Sequence, residues 1–332
     1  MAFQILSLSG GGFLGLYSIS ILADLEKDLG RPIASSFDLI AGTSVGGIIA
    51  LALAAEHPAS EIKFKFEQNG TRIFSDRPVP QTSFGKFLDT ARYLFRSKYD
   101  GEWLRKTIIS VIGEDTLIGD LKHPTTIPVV NLSKGKPQIF KTDHHASFVL
   151  DHKQRAVDVA VATSAAPTFF PIAEIGDEMF ADGGLYANSP DLIALHEAEH
   201  FLGISVDQIR VLSIGTTTTQ FSLSHSEKRN LGILGWARSL PNTIISSQQI
   251  DIDYILRHRL GDRYVRIDTI QSKEQERDLG LDVATKEAQA TIRGMARGSY
   301  QEIANNEMLN TILNNRARKP RFYYRNEKKE KH

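Results

Sequence analysis

The chain holds 332 residues, 41% of them hydrophobic, enough to bury a large core in one big domain or two smaller ones. Lysine plus arginine equals aspartate plus glutamate at 39 each, so no overall field recruits nucleic acid, and attraction for an anion must come from a local patch. Cysteine is absent, which excludes disulfides, thiolate metal sites and a cysteine nucleophile and fits a reducing compartment.

In chain order, Phe3 to Ser9 reads as a strand, Gly10 to Gly12 as a turn, and Leu14 to Leu29 as a helix with apolar residues at Leu14, Tyr17, Ile21, Leu22 and Leu25. The opening has no basic stretch followed by a long apolar run and a cleavage site, so the cytoplasm is the expected address. Strand, glycine turn and helix return over Phe37 to Ala41, Gly42 to Gly46 and Val45 to Ala55, and two such units predict an α/β fold with a mainly parallel sheet. The uncharged run from Leu39 to Ala55 spans 17 residues, near the lower limit for crossing a bilayer. Its glycines make strand, turn and buried helix the better reading.

Between Ala59 and Leu121 the pattern changes to helical segments rich in aromatic and basic residues, read as a cap inserted between core strands. Aromatic anchors beside Lys86, Arg92, Arg96 and Lys98 suit a lipid interface or an anionic ligand. Amphipathic helices packed on the core are the equal alternative. Further strands are expected at Thr126 to Asn131, Gln138 to Lys141, Met179 to Ala181 and Ile209 to Ile214, and helices at Ala156 to Thr163, Asp191 to Leu202 and over much of Lys273 to Asn315. From Arg316 to His332 eight basic residues stand against Glu327 and Glu330, a net +6 that reads as a solvated, poorly ordered tail, with membrane attraction as the sharper alternative. The expected divisions are a catalytic core over 1–200 with the cap at about 59–121, a remaining core strand and helical extension over 201–315, and the tail over 316–332.

The chemistry concentrates in three turns. Gly42-Thr43-Ser44-Val45-Gly46 places a serine between strand and helix, which suits a nucleophile elbow, with Gly42 and Gly46 leaving room for the tight turn. Ser9-Gly10-Gly11-Gly12 follows the first strand and precedes a helix that Gly15 opens, so its backbone amides can converge on a small anion. Asp182-Gly183-Gly184 puts a carboxylate at another strand end, where burial would raise its proton affinity enough to act as a base without histidine. An ordinary Asp-Gly turn accounts equally well for Asp182 alone.

As a set, these turns and Ser164-Ala165-Ala166-Pro167-Thr168-Phe169-Phe170-Pro171 resemble the patatin-like phospholipases over about Phe3 to Asp191. The resemblance implies a three-layer α/β core with a mainly parallel sheet, a helical cap and a helical C-terminal extension. It also implies a Ser44/Asp182 dyad, an oxyanion hole from Gly10, Gly11 and Gly12, support from Gly15, Gly42, Gly46, Gly183 and Gly184, and hydrolysis of lipid esters with no cofactor and no metal. The family usually carries a basic residue where this chain has Leu14. The opening strand, Gly15-Leu16-Tyr17 and the long extension resemble the bacterial phospholipase effectors of cyclic-oligonucleotide antiphage systems. That narrower likeness implies membrane phospholipid as substrate at the inner face of the membrane and a cyclic dinucleotide as activator, held by basic residues of the cap. A homo-oligomer stays open.

Competing motifs are present. Gly10 to Gly15 satisfies GxGxxG but lacks the acidic residue that a dinucleotide fingerprint wants at the end of the second strand, since Asp38 opens that strand. His196-Glu197-Ala198-Glu199-His200 matches the zinc motif HExxH without an evident third ligand. Ser44, Asp182 and His225 or His258 come in the order of an α/β-hydrolase triad. A silent module that uses the glycine loop to hold a nucleotide completes the alternatives.

Overall fold

The computed structural model describes residues 2–74, 96–217 and 233–324, and gives backbone alone for 233–239 and 241–242. Eight strands form one sheet: β1 (Phe3–Leu8), β2 (Leu39–Gly42), β3 (Thr125–Asn131), β4 (Lys136–Lys141), β5 (Ala173–Ile175), β6 (Glu178–Asp182), β7 (Ile209–Ile214) and β8 (Tyr264–Ile267). Their order is β5-β6-β3-β2-β1-β7-β8, with β4 also paired to β3. The run from β3 through β2, β1 and β7 to β8 is parallel, while β4, β5 and β6 run antiparallel to their neighbours.

The parallel strands are buried on both faces, which is why they read as near-continuous apolar runs. Leu6, Leu8, Ile40, Leu212 and Ile214 meet one helical layer, and Phe3, Ile5, Leu39, Ala41, Ile209 and Val211 meet the other. The first layer holds α1 (Gly15–Leu29), α2 (Val45–Ala54), α3 (Ala59–Phe74), α4 (Glu102–Ile112) and α5 (Ala156–Thr163). The short α6 (Gly184–Ala187) follows β6; α7 (Asp191–His196) and the 28-residue α8 (Ile233–Leu260) cover the second face. The chain then returns to the first layer through α9 (Gln275–Asp278), α10 (Lys286–Ile303) and α11 (Glu307–Leu313). The fold is mixed α/β with a central sheet that is mostly parallel. Among the described residues no helix is long and apolar enough to cross a membrane.

Several expectations shift. The stretch read as a cap contributes α3 and α4, whose Ile62, Phe66, Leu104 and Ile108 belong to the main core, so these helices follow the amphipathic alternative. Phe84 to Phe95, with Lys86 and Arg92, lies outside the described residues. Among the described residues beyond 200 there are two core strands, β7 and β8, where sequence suggested one. The helix from Asp191 changes to a π turn over Glu197–Phe201. Residues 316–324 are fastened to the core, which corrects the poorly ordered tail over that span. Ala317 N donates to Ser35 O at 2.8 Å, Arg318 N to Asp38 Oδ1 at 2.8 Å, and Tyr324 N to Asp143 Oδ2 at 2.7 Å.

Candidate active site

The site is built on one edge of β3. Strand β4 pairs with β3 from Thr126 to Asn131 and fills one edge, so β2, paired at Thr125 and Thr126, and β6, paired at Val129 to Asn131, must share the other. They approach head to head, because β2 is parallel and β6 antiparallel to β3. Extending the β2 register brings Ser44 level with Val129, the residue paired with Asp182. Pro128 sits at the junction, where an N–H would find no ladder partner. Its carbonyl accepts from Thr163 Oγ1 at 2.7 Å, and the same hydroxyl oxygen accepts from Ser44 N at 3.1 Å.

Ser44 itself sits at φ 55°, ψ −127°, an unfavourable conformation for a residue with a side chain. The turn is tight enough that a Cβ on Gly46 would lie 2.3 Å from the Leu8 carbonyl oxygen, and one on Gly42 would lie 2.1 Å from the Gly46 carbonyl oxygen. Gly15 packs against Val45, the first residue of α2. This close packing holds Ser44 in its strained conformation at the start of α2, whose N-terminal dipole favours negative charge.

Ser44 Oγ donates to Asp182 Oδ2 at 2.8 Å, and Gly184 N donates to Asp182 Oδ1 at 2.7 Å. Gly183 passes so close to Pro128 that a Cβ would stand 2.2 Å from its carbonyl oxygen. Asp182 N donates to Ala165 O at 3.0 Å, which ties the carboxylate to the Ser164–Pro171 segment. Burial pushes the Asp182 carboxyl up to about 6, with the bonds from Gly184 and Ser44 pulling the other way. A carboxylate with that proton affinity is ionised at neutral pH yet basic enough to take a hydroxyl proton.

The glycine loop does not present three equivalent amides. Gly10 N donates to Asn188 O at 2.9 Å, and Gly10 O accepts from Thr216 Oγ1 at 2.8 Å and Asn188 Nδ2 at 3.3 Å. Gly10, expected in the oxyanion hole, thus has its amide bonded within the fold. Gly11 and Gly12 line the cleft with Ser44, and among the described residues neither amide has a hydrogen-bond acceptor. Leu14 is in the core, so this position supplies no cation beside the loop.

Above these groups lies a cleft of about 300 Å³ walled by apolar side chains, among them Ile48, Phe66, Phe74, Leu104, Phe170 and Ile244. It falls at the small end of ligand-pocket sizes. Thr163, Asn188, Thr216 and Gln248 hold the site without having been singled out in the sequence, because isolated polar residues carry no motif. Gln248 Nε2 donates to Leu185 O at 3.1 Å and its Oε1 accepts from Asn188 N at 3.2 Å.

The rival motifs are placed elsewhere. His258 Nδ1 lies 2.8 Å from Tyr254 O on exposed helix, and His225 lies outside the described residues. Glu197 of HExxH is buried and accepts from Lys141 Nζ at 2.5 Å, with His144 Nε2 at 3.1 Å from its other oxygen. Burial pushes Glu197 up, but His144 and Lys141 outweigh it and hold the carboxyl below its ordinary value. Among the described residues no group of three or more His, Asp or Glu is arranged to hold a metal ion. Asp38 accepts from Gln4 N and Arg318 N, both at 2.8 Å, a structural task.

A strained serine at a strand-to-helix turn, bonded to a buried carboxylate beside unpaired amides and an apolar cleft, is the arrangement of an ester hydrolase on an α/β sheet. The model of the patatin-like phospholipase family matches residues 6–195. The chain belongs to the patatin-like phospholipase family, and is thus a hydrolase of the phospholipase class. It is 42% identical over 324 residues to a cGAMP-activated phospholipase of Pseudomonas aeruginosa (strain BWHPSA011 / Pa011), an alignment covering 97% of this chain and 95% of the other. A cGAMP-activated phospholipase of Vibrio cholerae serotype O1 is 36% identical, with 95% and 96% covered. Patatin-like protein 4 of Arabidopsis thaliana is 30% identical, with 82% and 77% covered.

Proposed function

We propose that the protein hydrolyses fatty-acyl esters of membrane phospholipids through a Ser44/Asp182 dyad, and that a cyclic dinucleotide switches it on in antiphage defence. The observation that carries the dyad is the 2.8 Å bond from Ser44 Oγ to a buried carboxylate whose other oxygen is already held by Gly184. In the reaction, Ser44 Oγ attacks the ester carbonyl while its proton passes to Asp182 Oδ2. The carbonyl oxygen gains the negative charge and takes hydrogen bonds from the Gly11 and Gly12 amides. Collapse expels the lysophospholipid alkoxide, which takes the proton from Asp182 and leaves an acyl-enzyme on Ser44. Water then gives a proton to Asp182 and attacks the acyl carbon, releasing fatty acid and restoring the serine. The apolar cleft suits the acyl chain. A phospholipid substrate accords with the family, and the inner face of the membrane is the site of action this reading takes.

The switch rests on the two bacterial relatives, each described as cGAMP-activated. The test is fatty-acid release from vesicles of bacterial phospholipids with and without cGAMP, alongside fluorophosphonate labelling of Ser44. Release that depends on cGAMP, Ser44 and Asp182 is expected. Unlabelled Ser44 together with no release under either condition would overturn the enzyme reading.

A further inference from the structure

We infer that the activating cyclic dinucleotide binds in a second cavity, on the face of α8 turned away from the catalytic cleft. The inference rests on the switch proposed above. This cavity measures about 600 Å³, within the range of ligand pockets, and lies between α8 and the segment that begins with β8. Ser246, Gln249, Asp253 and Arg257 line it from the helix, at spacings that put them on one stripe. Leu240, Ile244 and Ile245 of the same helix line the catalytic cleft. One helix therefore forms a wall of both cavities.

The polar wall is left with bonding capacity that the fold does not use. Gln249 is 7% exposed, yet its Nε2 has no hydrogen-bond partner among the described residues, and the same holds for Asp253 Oδ1. Buried polar groups are normally satisfied, so two orphans one helical turn apart on a cavity wall need an occupant. Both atoms are turned away from the cavity as they stand; a turn about the soft amide torsion of Gln249 exchanges Nε2 with Oε1 and aims the donor at the cavity, while Asp253 lines it and can accept a second bond on the oxygen that Arg257 holds. A free amide donor beside a free carboxylate acceptor complements the edge of a purine base, which sets an acceptor next to a donor. Arg257 is held through Nε by Asp253 at 2.8 Å, and its terminal amines donate to no described residue, so they are free for a phosphate. Ile250 and Ile270, both largely exposed, give the rim apolar surface for the base faces.

The far wall connects to the catalytic loop. Arg266 reaches inward to Ser213 Oγ at 2.7 Å, Ser189 Oγ at 3.1 Å and Ser9 Oγ at 3.2 Å. Ser9 precedes Gly10, and Ser189 follows Asn188, which accepts the Gly10 amide. A nucleotide bridging Arg257 and the Arg266 wall thus acts on α8, which walls the acyl cleft, and on the base of the oxyanion loop. This replaces the cap as the expected nucleotide site. Of the basic residues there, Lys98 is paired with Asp282, Arg96 is exposed on the surface, and Lys86 and Arg92 are outside the described residues.

The experiment is calorimetric titration of cGAMP into the full-length Ser44→Ala chain, which cannot turn over lipid, and into the same chain carrying Gln249→Leu or Arg257→Ala. Each added substitution should raise the Kd at least about tenfold, the worth of a hydrogen bond to a charged or buried group. Gln249→Leu should at the same time leave the melting temperature equal or higher, because it removes an unpaired buried amide. Tight binding by the parent that neither variant weakens would overturn this site and leave the switch standing. No binding by the parent would overturn the switch and the site with it. A Gln249→Leu chain that melts lower would show the amide to be structural and overturn its role here.

Discussion

Replacing Asp182 by Asn separates what the carboxylate contributes to chemistry from what it costs the fold. Burial lifts its pKa from 3.8 to about 6, a difference of about 2 units, or about 3 kcal/mol against the ionised form at about 1.4 kcal/mol per unit. Between roughly pH 4 and 6 the folded chain keeps a proton that the unfolded chain has lost, so stability falls as pH rises across that window. Above about pH 6 the whole penalty is present, and below about 4 it is absent. Asparagine has no charge to desolvate, and its amide can accept from Gly184 while donating to Ser44 Oγ. The stability gained by Asp182→Asn should therefore grow by about 3 kcal/mol from pH 4 to pH 8, some 4 °C in melting temperature for a chain of this length. Asp151 is also pushed up to about 6 by burial, but it titrates identically in both proteins and cancels. Ester hydrolysis should fall by about 10² to 10⁴, and in the parent kcat/KM should fall away below about pH 6. Thermal melts of both proteins from pH 4 to 8 supply the measurement. A gap that does not widen with pH would refute the buried ionised carboxylate, and an active Asp182→Asn enzyme would refute its role as base.

Three other substitutions probe neighbouring claims. Ser44→Gly should be more stable than Ser44→Ala by about 1 kcal/mol in urea titration, since glycine accepts φ 55° without strain, while both abolish hydrolysis. His258→Ala should keep ester hydrolysis within about twofold, as an exposed residue off the site; a loss as deep as that of Ser44→Ala would restore the triad. Lys141→Met should cost about 3–5 kcal/mol of unfolding free energy, read as a lower denaturant midpoint, because it leaves buried Glu197 without its ammonium partner. An unchanged midpoint would deny that pair its structural role.

How much was legible depends on where each residue's partners come from. The two opening βα units could be read because each is a mostly apolar run, a glycine turn and a helix, all set by local sequence. Strand β8 was not, since Arg266 within it is paired with Asp268 and donates hydrogen bonds to three serines that the fold delivers from remote positions. Helix α8 was hidden by Pro241, which argues for a break, and by having one stripe toward an apolar cleft and another toward a polar cavity. Ser44 and Asp182 could be nominated separately from their turns. Their meeting depends on β2 and β6 sharing an edge of β3, a tertiary fact. Gly10, Gly11 and Gly12 look alike in sequence, and only the bond to Asn188 O sets Gly10 apart.

Ser44 and Asp182 are each fixed by a tight turn at a strand end, with Gly184 N holding the second carboxylate oxygen, so the proposed switch has little to gain by assembling that dyad. Under the proposed switch, what is left to gate is the Gly11–Gly12 amide pair or admission of a lipid acyl chain to the cleft of about 300 Å³. Since α8 walls that cleft through Leu240, Ile244 and Ile245, admission is the step its movement most directly changes. A small fluorophosphonate should then label Ser44 at nearly the same rate with and without cGAMP, while phospholipid hydrolysis rises steeply with it. Labelling that accelerates in parallel with hydrolysis would instead move the switch to the amides, where the Arg266–Ser9 contact can reach the loop.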